Sequence, residues 1–274
     1  LLSQRPQGSI LKMPIIPLLR ILRRILFFPI QPHRPVRPFR YLLRSSRLFG
    51  LVSMALQVRD LARVSKIDKE HSTDDEFYVA VHDYNAEVTQ HHVVHVTRRA
   101  EEFYQMLDLP PRDVADEKLL VVGPRNIAEL YIAWLYGFSW RNILGIDLYS
   151  TNPKIKVMNM EDMAFDDATF DAVTMSATLA YAKDVPGTIA EVYRVLKPGG
   201  RFCFGGTYAP ESKLWPGDDV SGHELRAALS DAGFHIYVYR ASTKINSLGQ
   251  KQTSHRVGAY RPDPDQEDFD HVVL

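Results

Sequence analysis

The sequence predicts an α/β protein in which a doubly wound, seven-stranded and mostly parallel sheet follows an N-terminal helical extension. Between residues 118 and 262, short β-branched runs alternate with segments of helical periodicity, as in parallel sheets covered by helices. Residues 51–117 instead show apolar positions at helical spacing. A chain of 274 residues with 45% apolar and 24% charged residues excludes collagen-like and wholly disordered classes. A single cysteine, Cys203, excludes a disulfide scaffold and a cysteine-based metal site.

Residues 1–50 form a basic arm, because they hold ten of the 33 Lys and Arg residues and none of the 33 Asp and Glu residues. Within residues 11–28, Arg20, Arg23 and Arg24 share one face of a helix while apolar side chains cover the rest. This pattern predicts a basic amphipathic helix that lies at a membrane surface. Those arginines and the neighbouring prolines argue against a membrane span.

Other uses of the two chain ends stay open. An Arg-rich, acid-free N-terminus also suits a mitochondrial or plastid targeting segment, or an arm that grips protein partners in a larger assembly, with nucleic acid as the weaker alternative. Residues 263–274 hold five Asp and Glu residues, which predicts an acidic tail that is disordered or lies on a protein partner. We therefore expect an intracellular protein that associates peripherally with membranes.

The helical region, residues 51–117, predicts two or three helices before a short polar connector. His91 and His95 are four residues apart and could reach one metal ion from the same helical face. They lack the intervening Glu of a zincin motif, and spacing fixes no third ligand. We therefore predict no metal site.

The alternating domain supplies the sheet in chain order. Its predicted parallel strands are KLLVVG, NILGID, IKVMNM, FDAVTM and RFCFGG, with helices at about 127–136 and 186–196. A capping box of Ser221 and Glu224 begins a further helix. Two β-rich runs, HIYVYRAS and TSHRVGAYR, then flank a turn at residues 246–249 and predict an antiparallel hairpin. Five parallel strands and this hairpin make a seven-stranded sheet.

Two phrases carry a resemblance to a known family. Residues 165–173, FDDATFDAV, and residues 191–200, EVYRVLKPGG, match the entries to the fourth and fifth strands of class I S-adenosylmethionine-dependent methyltransferases, in the ubiquinone/menaquinone C-methyltransferase-like branch of methyltransferase type 11. From Lys118 to about Pro262 the chain resembles this family. The resemblance implies a Rossmann-like methyltransferase fold and S-adenosylmethionine as cofactor.

The cofactor loop departs from the family pattern, which is an acidic residue followed after one position by G-x-G-x-G. Here Gly123 keeps the first glycine and Pro124 follows it, while Arg125 and Ile127 replace the second and third glycines. Val121 stands at the acidic position. Two outcomes remain open: Arg125 pairs with the carboxylate of the cofactor, or its side chain fills the pocket and abolishes binding.

The resemblance implies further site residues. Asp147, at the end of the second strand, corresponds to the acidic residue that accepts hydrogen bonds from the ribose hydroxyls. Asn159 and Met160 correspond to the positions beside the adenine. Tyr181 lies where related quinone-type enzymes often carry histidines, which predicts a wall of the substrate pocket. No catalytic residue is identified, and alignment alone can suffice for methyl transfer to an ionised nucleophile.

Two functions are therefore hypotheses at this stage. The first is an atypical S-adenosylmethionine-dependent methyltransferase that acts on a small or lipidic acceptor at a membrane surface. The alternative is a pseudoenzyme: a non-catalytic, methyltransferase-like accessory subunit of a larger assembly, anchored by the basic arm. The degenerate glycine loop is the feature on which the choice depends.

Overall fold

A computed structural model describes residues 75–91, 101–108, 112–150, 152–208, 222–245 and 251–265, together with Leu51, Ala55 and Gly249. The basic arm, His95, Ser221 and residues 266–274 lie outside the described residues, and so do the hypotheses that concern them. Within the described ranges, no helix is long and apolar enough to cross a bilayer.

The helices and strands follow the predicted alternation. The helices are α1 (Glu76–His91), α2 (Glu101–Leu107), α3 (Ile127–Leu135), α4 (Val185–Val195) and α5 (Gly222–Asp231). The strands are β1 (Leu119–Val122), β2 (Ile143–Asp147), β3 (Ile155–Val157), β4 (Phe170–Ser176), β5 (Leu196–Tyr208), β6 (His235–Ile245) and β7 (Lys251–Tyr260). Short 3₁₀ turns cover Trp140–Asn142 and Leu179–Tyr181.

The seven strands form one sheet in the order β3-β2-β1-β4-β5-β7-β6. The pairs from β3 to β5 are parallel, and β7 pairs antiparallel with both β5 and β6. The predicted doubly wound sheet and its closing hairpin are therefore confirmed. The third strand is shorter than expected, since only three residues of IKVMNM pair with β2.

Two apolar layers sandwich the sheet, and β1 contributes alternate residues to each. Leu120 and Val122 join the layer that includes Ile189 of α4, while Leu119 and Val121 join the layer beneath α2 and α3. All four β1 side chains are buried, which explains the uninterrupted apolar run LLVV. Each such buried side chain contributes about 2 kcal/mol of hydrophobic free energy to folding.

The register brings three strand ends to one edge of the sheet. Val122 is level with Ile146 of β2 on one side and with Met175 of β4 on the other. The chain passes from β1 to β2 on one side, whereas β4 lies on the other, so the strand order reverses around β1. Ligands of open α/β sheets bind at such a reversal, beyond the carboxyl ends of the strands.

Candidate cofactor cleft

A cleft opens at this reversal point. It holds about 590 Å³ of space free of protein atoms, counting its open mouth, which is within the range of small-molecule sites. Its walls come from the turn after β1, the end of β2, the segment after β3, the segment after β4 and one face of α1. Six of the seven predicted site residues line it: Gly123, Arg125, Asp147, Asn159, Met160 and Tyr181.

Gly123 makes the turn that begins the cleft. Its backbone N–H donates to the carbonyl of Ile146 over 2.8 Å, and its φ of +66° is in the left-handed region. A Cβ at this position would lie 2.1 Å from Oγ1 of Thr178, so the segment after β4 packs directly against the glycine. The first glycine of the family pattern is therefore retained for two steric reasons.

Pro124 is the predicted site residue that does not line the cleft. It is buried, and its ring packs towards β2, where a Cβ on Gly145 would come within 2.9 Å of its Cγ. A contact between Pro124 and a cofactor, which its place in the glycine loop implies, therefore stays a prediction. The Pro124 ring fills the space over a glycine of the neighbouring strand.

Arg125 lines the cleft and is half-buried. The hydroxyl of Tyr149 donates to its backbone carbonyl over 3.2 Å. Asn126 then caps α3, because its side-chain oxygen accepts a hydrogen bond from the backbone N–H of Ala128. Within the described ranges, the Arg125 guanidinium has no hydrogen bond or ion pair.

Asp147 ends β2 at the floor of the cleft. Its backbone carbonyl accepts from the N–H of Met158, and its Oδ1 accepts from the N–H of Leu148 over 2.8 Å. The first bond ties the backbone of Asp147 to the segment after β3, and the second orients its carboxylate against the following peptide. A carboxylate has about four acceptor positions, so this group suits the recognition of paired hydroxyl groups.

Asn159 and Met160 continue from β3. The side-chain oxygen of Asn159 accepts from the N–H of Glu161 over 3.0 Å, which leaves that oxygen one lone pair, while the side-chain amide supplies donors. Glu161 is half-buried, and its carboxylate accepts from the N–H of Asp184 over 2.6 Å. These two hydrogen bonds stabilise the turn at residues 159–161 and attach it to the start of α4.

Residues 191–200, EVYRVLKPGG, also hold a loop near the cleft in place through the side chains of Arg194 and Glu191. Arg194 donates to the carbonyls of Met163 and Phe165 and to the carboxylates of Glu191 and Asp167. Glu191 also accepts from the N–H of Met163. The hydrogen bonds from Arg194 hold the pKa of Glu191 below its usual range and raise that of Arg194. The pair anchors the loop that follows the Asn159 segment.

The segment after β4 forms the opposite wall. Ala177 has a φ of +56°, an unfavourable conformation for a residue with a Cβ, and strain of this kind concentrates at functional sites. The Thr178 hydroxyl lies 3.1 Å from the carbonyl of Ser176 and 3.3 Å from that of Val122. Tyr181 lines the cleft, and its ring centroid is 6.4 Å from that of Tyr84.

Helix α1 covers the cleft with Tyr78, Val81 and Asn85, which sequence reasoning did not assign to the site. Their i, i+3, i+7 spacing places them on one helical face, and this spacing was the available signal. At the start of the helix, Asp75 pairs with Lys183 over 2.7 Å. This hydrogen bond lowers the pKa of Asp75 and raises that of Lys183.

These features define an α/β domain of the Rossmann-like, doubly wound class, with a cleft at the position where such folds bind ligands. Residues 133–204 match the family model described as Methyltransferase domain. Over part of its length the chain is thus similar to class I S-adenosylmethionine-dependent methyltransferases of the ubiquinone/menaquinone C-methyltransferase-like type. S-Adenosylmethionine is the cofactor of this class.

Curated relatives agree over part of the chain. A demethylmenaquinone methyltransferase of Symbiobacterium thermophilum is 48% identical over 48 residues, which are 18% of this chain and 19% of the relative. A ubiquinone/menaquinone biosynthesis C-methyltransferase of Brucella canis is 28% identical over 118 residues, 42% of this chain and 38% of the relative. The chain thus spans less than two-fifths of the length of these relatives.

Solved methyltransferase structures match part of the chain. An S-adenosylmethionine-dependent methyltransferase of Methanosarcina mazei is 22% identical, with a TM-score of 0.40 over 54% of this chain and 94% of that one. A phosphoethanolamine-type N-methyltransferase of Haemonchus contortus, solved with S-adenosylhomocysteine, is 13% identical, with a TM-score of 0.46 over 59% and 52%.

The residues present suit the chemistry of this cofactor. An adenosine with an amino-acid tail offers ribose hydroxyls, an adenine edge and a carboxylate. The cleft offers a carboxylate at Asp147, an amide at Asn159 and a cation at Arg125. The turn at Gly123 has no side chain to obstruct approach. The replacement of two glycines by Arg125 and Ile127 has therefore added a positive charge to the cleft, and the cleft remains open.

Proposed function

We propose that this protein is an S-adenosylmethionine-dependent methyltransferase that acts on a small or lipidic acceptor at a membrane surface. The observation that carries the proposal is that three separate chain segments, each with a predicted cofactor residue, line one cleft together with Tyr181, the predicted wall of the substrate pocket. When bound, S-adenosylmethionine supplies an electrophilic methyl group on its sulfonium. The residues of the chain then bind, orient and shield the reactants.

Each polar group of the cleft has a distinct part in this proposal. The Asp147 carboxylate accepts hydrogen bonds from the ribose hydroxyls, and Asn159 with the backbone of Met160 meets the adenine edge. Thr178 holds the Gly123 turn in the shape that leaves room for the ligand. Among the residues that the structure describes, the lining side chains include no His, Cys or Lys as a general base, which favours an acceptor that ionises readily and reacts through alignment.

The acceptor end of the cleft is aromatic. Tyr78 of α1 and Tyr181 after β4 both line it, and Tyr84 flanks Tyr181. Such rings suit a flat, weakly polar acceptor. The names of the curated relatives concern ubiquinone and menaquinone, so a quinol-type ring is the acceptor that we infer. The predicted amphipathic helix at residues 11–28 would bring the protein to the membrane where lipidic acceptors lie.

The second candidate is a non-catalytic accessory subunit, with the arm and the acidic tail as partner-binding segments. It is favoured by Arg125, whose side chain stands in the cleft where the family pattern has glycine. In this alternative the guanidinium occupies the place of the ligand.

Calorimetry with S-adenosylhomocysteine separates the two candidates. We expect the wild-type chain to bind and the Asp147→Ala variant to bind at least about tenfold more weakly, because hydrogen bonds to a charged group contribute about 1.5–3 kcal/mol each. Asp162→Ala is the matched control, since Asp162 is exposed and does not line the cleft. No heat from the wild type at millimolar ligand would favour the accessory role.

The membrane part of the proposal has its own test. Liposome flotation compares the full chain with one that lacks residues 1–50, using vesicles with anionic lipids. We expect only the full chain to float, because the arm carries the basic amphipathic segment. Equal flotation of both proteins would refute membrane anchoring by the arm.

A further inference from the structure

Arg125 is a cation that lines the cleft, and none of the described residues supplies an anion to its guanidinium. Arg194, Arg201 and Arg256 each pair with a carboxylate. Arg125 is half-buried, and its guanidinium makes no such pair with any residue that the structure describes. A partly desolvated guanidinium with five unused donors is a binding group for a carboxylate or phosphate.

The backbone of Arg125 is held in place by a residue from a different segment. The hydroxyl of Tyr149 donates to the Arg125 carbonyl, and the Tyr149 side chain is only 4% exposed. Its ring also meets His82 of α1 edge to face, with centroids 5.9 Å apart. Because Tyr149 is two residues beyond Asp147, this bond couples the position of Arg125 to the segment that carries the Asp147 carboxylate.

The two charges that line the cleft have opposite signs. Asp147 attracts hydroxyl donors and repels a carboxylate, whereas Arg125 attracts a carboxylate. A ligand with hydroxyls in its middle and a carboxylate at one end therefore has one favourable orientation. A nucleoside without an amino-acid tail can donate its ribose hydroxyls to Asp147, but it offers no carboxylate to Arg125.

We propose that Arg125 determines specificity by binding the carboxylate of the ligand's amino-acid tail, and that Tyr149 positions it for this contact. The inference rests on the proposed function. The cleft then selects tailed nucleosides through a side-chain charge, where the family pattern places glycine backbone.

The test compares two ligands that differ only in this tail. S-Adenosylhomocysteine has the amino-acid tail, whereas 5′-methylthioadenosine keeps the adenine, the ribose and a thioether without it. We expect the full-length wild type to prefer the tailed ligand by about 10- to 100-fold, the range for hydrogen bonds between charged groups. Arg125→Met should lose most of this preference while its affinity for methylthioadenosine stays within about twofold, the scatter allowed for an uninvolved contact.

The controls separate charge from structure. Arg125→Lys should keep part of the preference, since an ammonium offers a point charge without the bidentate fork. Arg141→Met should change nothing, because Arg141 is 79% exposed and does not line the cleft. Tyr149→Phe should reduce the ratio of the two affinities, which general loosening of the fold would leave unchanged.

Three results would overturn the inference. If both ligands bind more tightly to Arg125→Met, the guanidinium fills the cleft and obstructs the ligand. If S-adenosylhomocysteine binds in an Asp147-dependent manner but Arg125→Met leaves the preference intact, the proposed function stands and the role of Arg125 fails. If neither ligand binds to the wild type, the proposed function fails as well.

Discussion

Substitution of Gly123 by alanine should be one of the most costly single-methyl changes in the domain. The added Cβ would lie 2.1 Å from Oγ1, 2.4 Å from Cγ2 and 2.8 Å from Cβ of Thr178, so the whole threonine must move. Overpacking of this kind costs about 1–3 kcal/mol. The left-handed φ of +66° adds about 1 kcal/mol. We therefore expect Gly123→Ala to lower the free energy of unfolding by roughly 2–4 kcal/mol.

A matched glycine separates the two contributions. Gly249 has a similar φ of +78°, and a Cβ there would meet nothing within 4 Å. Gly249→Ala should therefore cost only about 1 kcal/mol, the conformational part. Combination of Gly123→Ala with Thr178→Gly removes all three close atoms and should recover the steric part. Chemical denaturation of the four variants of this cycle measures the coupling. Equal losses for both glycines, or no recovery in the double variant, would refute the steric argument.

Two further expectations concern α1 and the far side of the sheet. Lys183→Met should speed the release of bound S-adenosylhomocysteine in stopped-flow measurements by a few-fold, because it removes an ion pair that attaches α1. High salt should shrink the difference, and Lys156→Met should match the wild type. Burial raises the pKa of Cys203 to about 12, so the folded thiol stays protonated while the unfolded thiol ionises near pH 8.5. The stability that the protonated Cys203 thiol contributes is therefore full below about pH 8.5, and the free energy of unfolding falls by about 2 kcal/mol between pH 8 and 10. Denaturant titrations of Cys203→Ala should lack this fall. A fall of the same size in the variant would contradict the reasoning.

The sheet could be predicted from sequence because its signals are local. Strands β1, β2 and β4 are short apolar runs buried on both faces, and each is separated from the next parallel strand by helical or turn signals. The hairpin of β6 and β7 follows from two β-rich runs around one turn. The register of these strands then gathers Gly123 and Asp147 at one edge without further information.

Contacts between distant segments could not be predicted in this way. Lys183 and Asp75 are 108 residues apart, and no local pattern pairs them. Tyr78, Val81 and Asn85 have helical spacing, but the sequence does not reveal against which part of the sheet this helical face packs. Pro124 belongs to a binding motif by position, yet its fixed φ turns the ring towards β2. Positions in a motif predict the path of the backbone better than the direction of each side chain.

The origin of α1 has a consequence for how such a protein can diversify. The wall that this helix supplies is encoded upstream of the sheet, whereas Arg125 and Asp147 come from within the sheet and its turns. Changes at Tyr78, Val81 or Asn85 can therefore reshape one wall of the cleft while the charged residues of the opposite walls stay the same. One side of the cleft can thus vary independently of the strand ends that form the other.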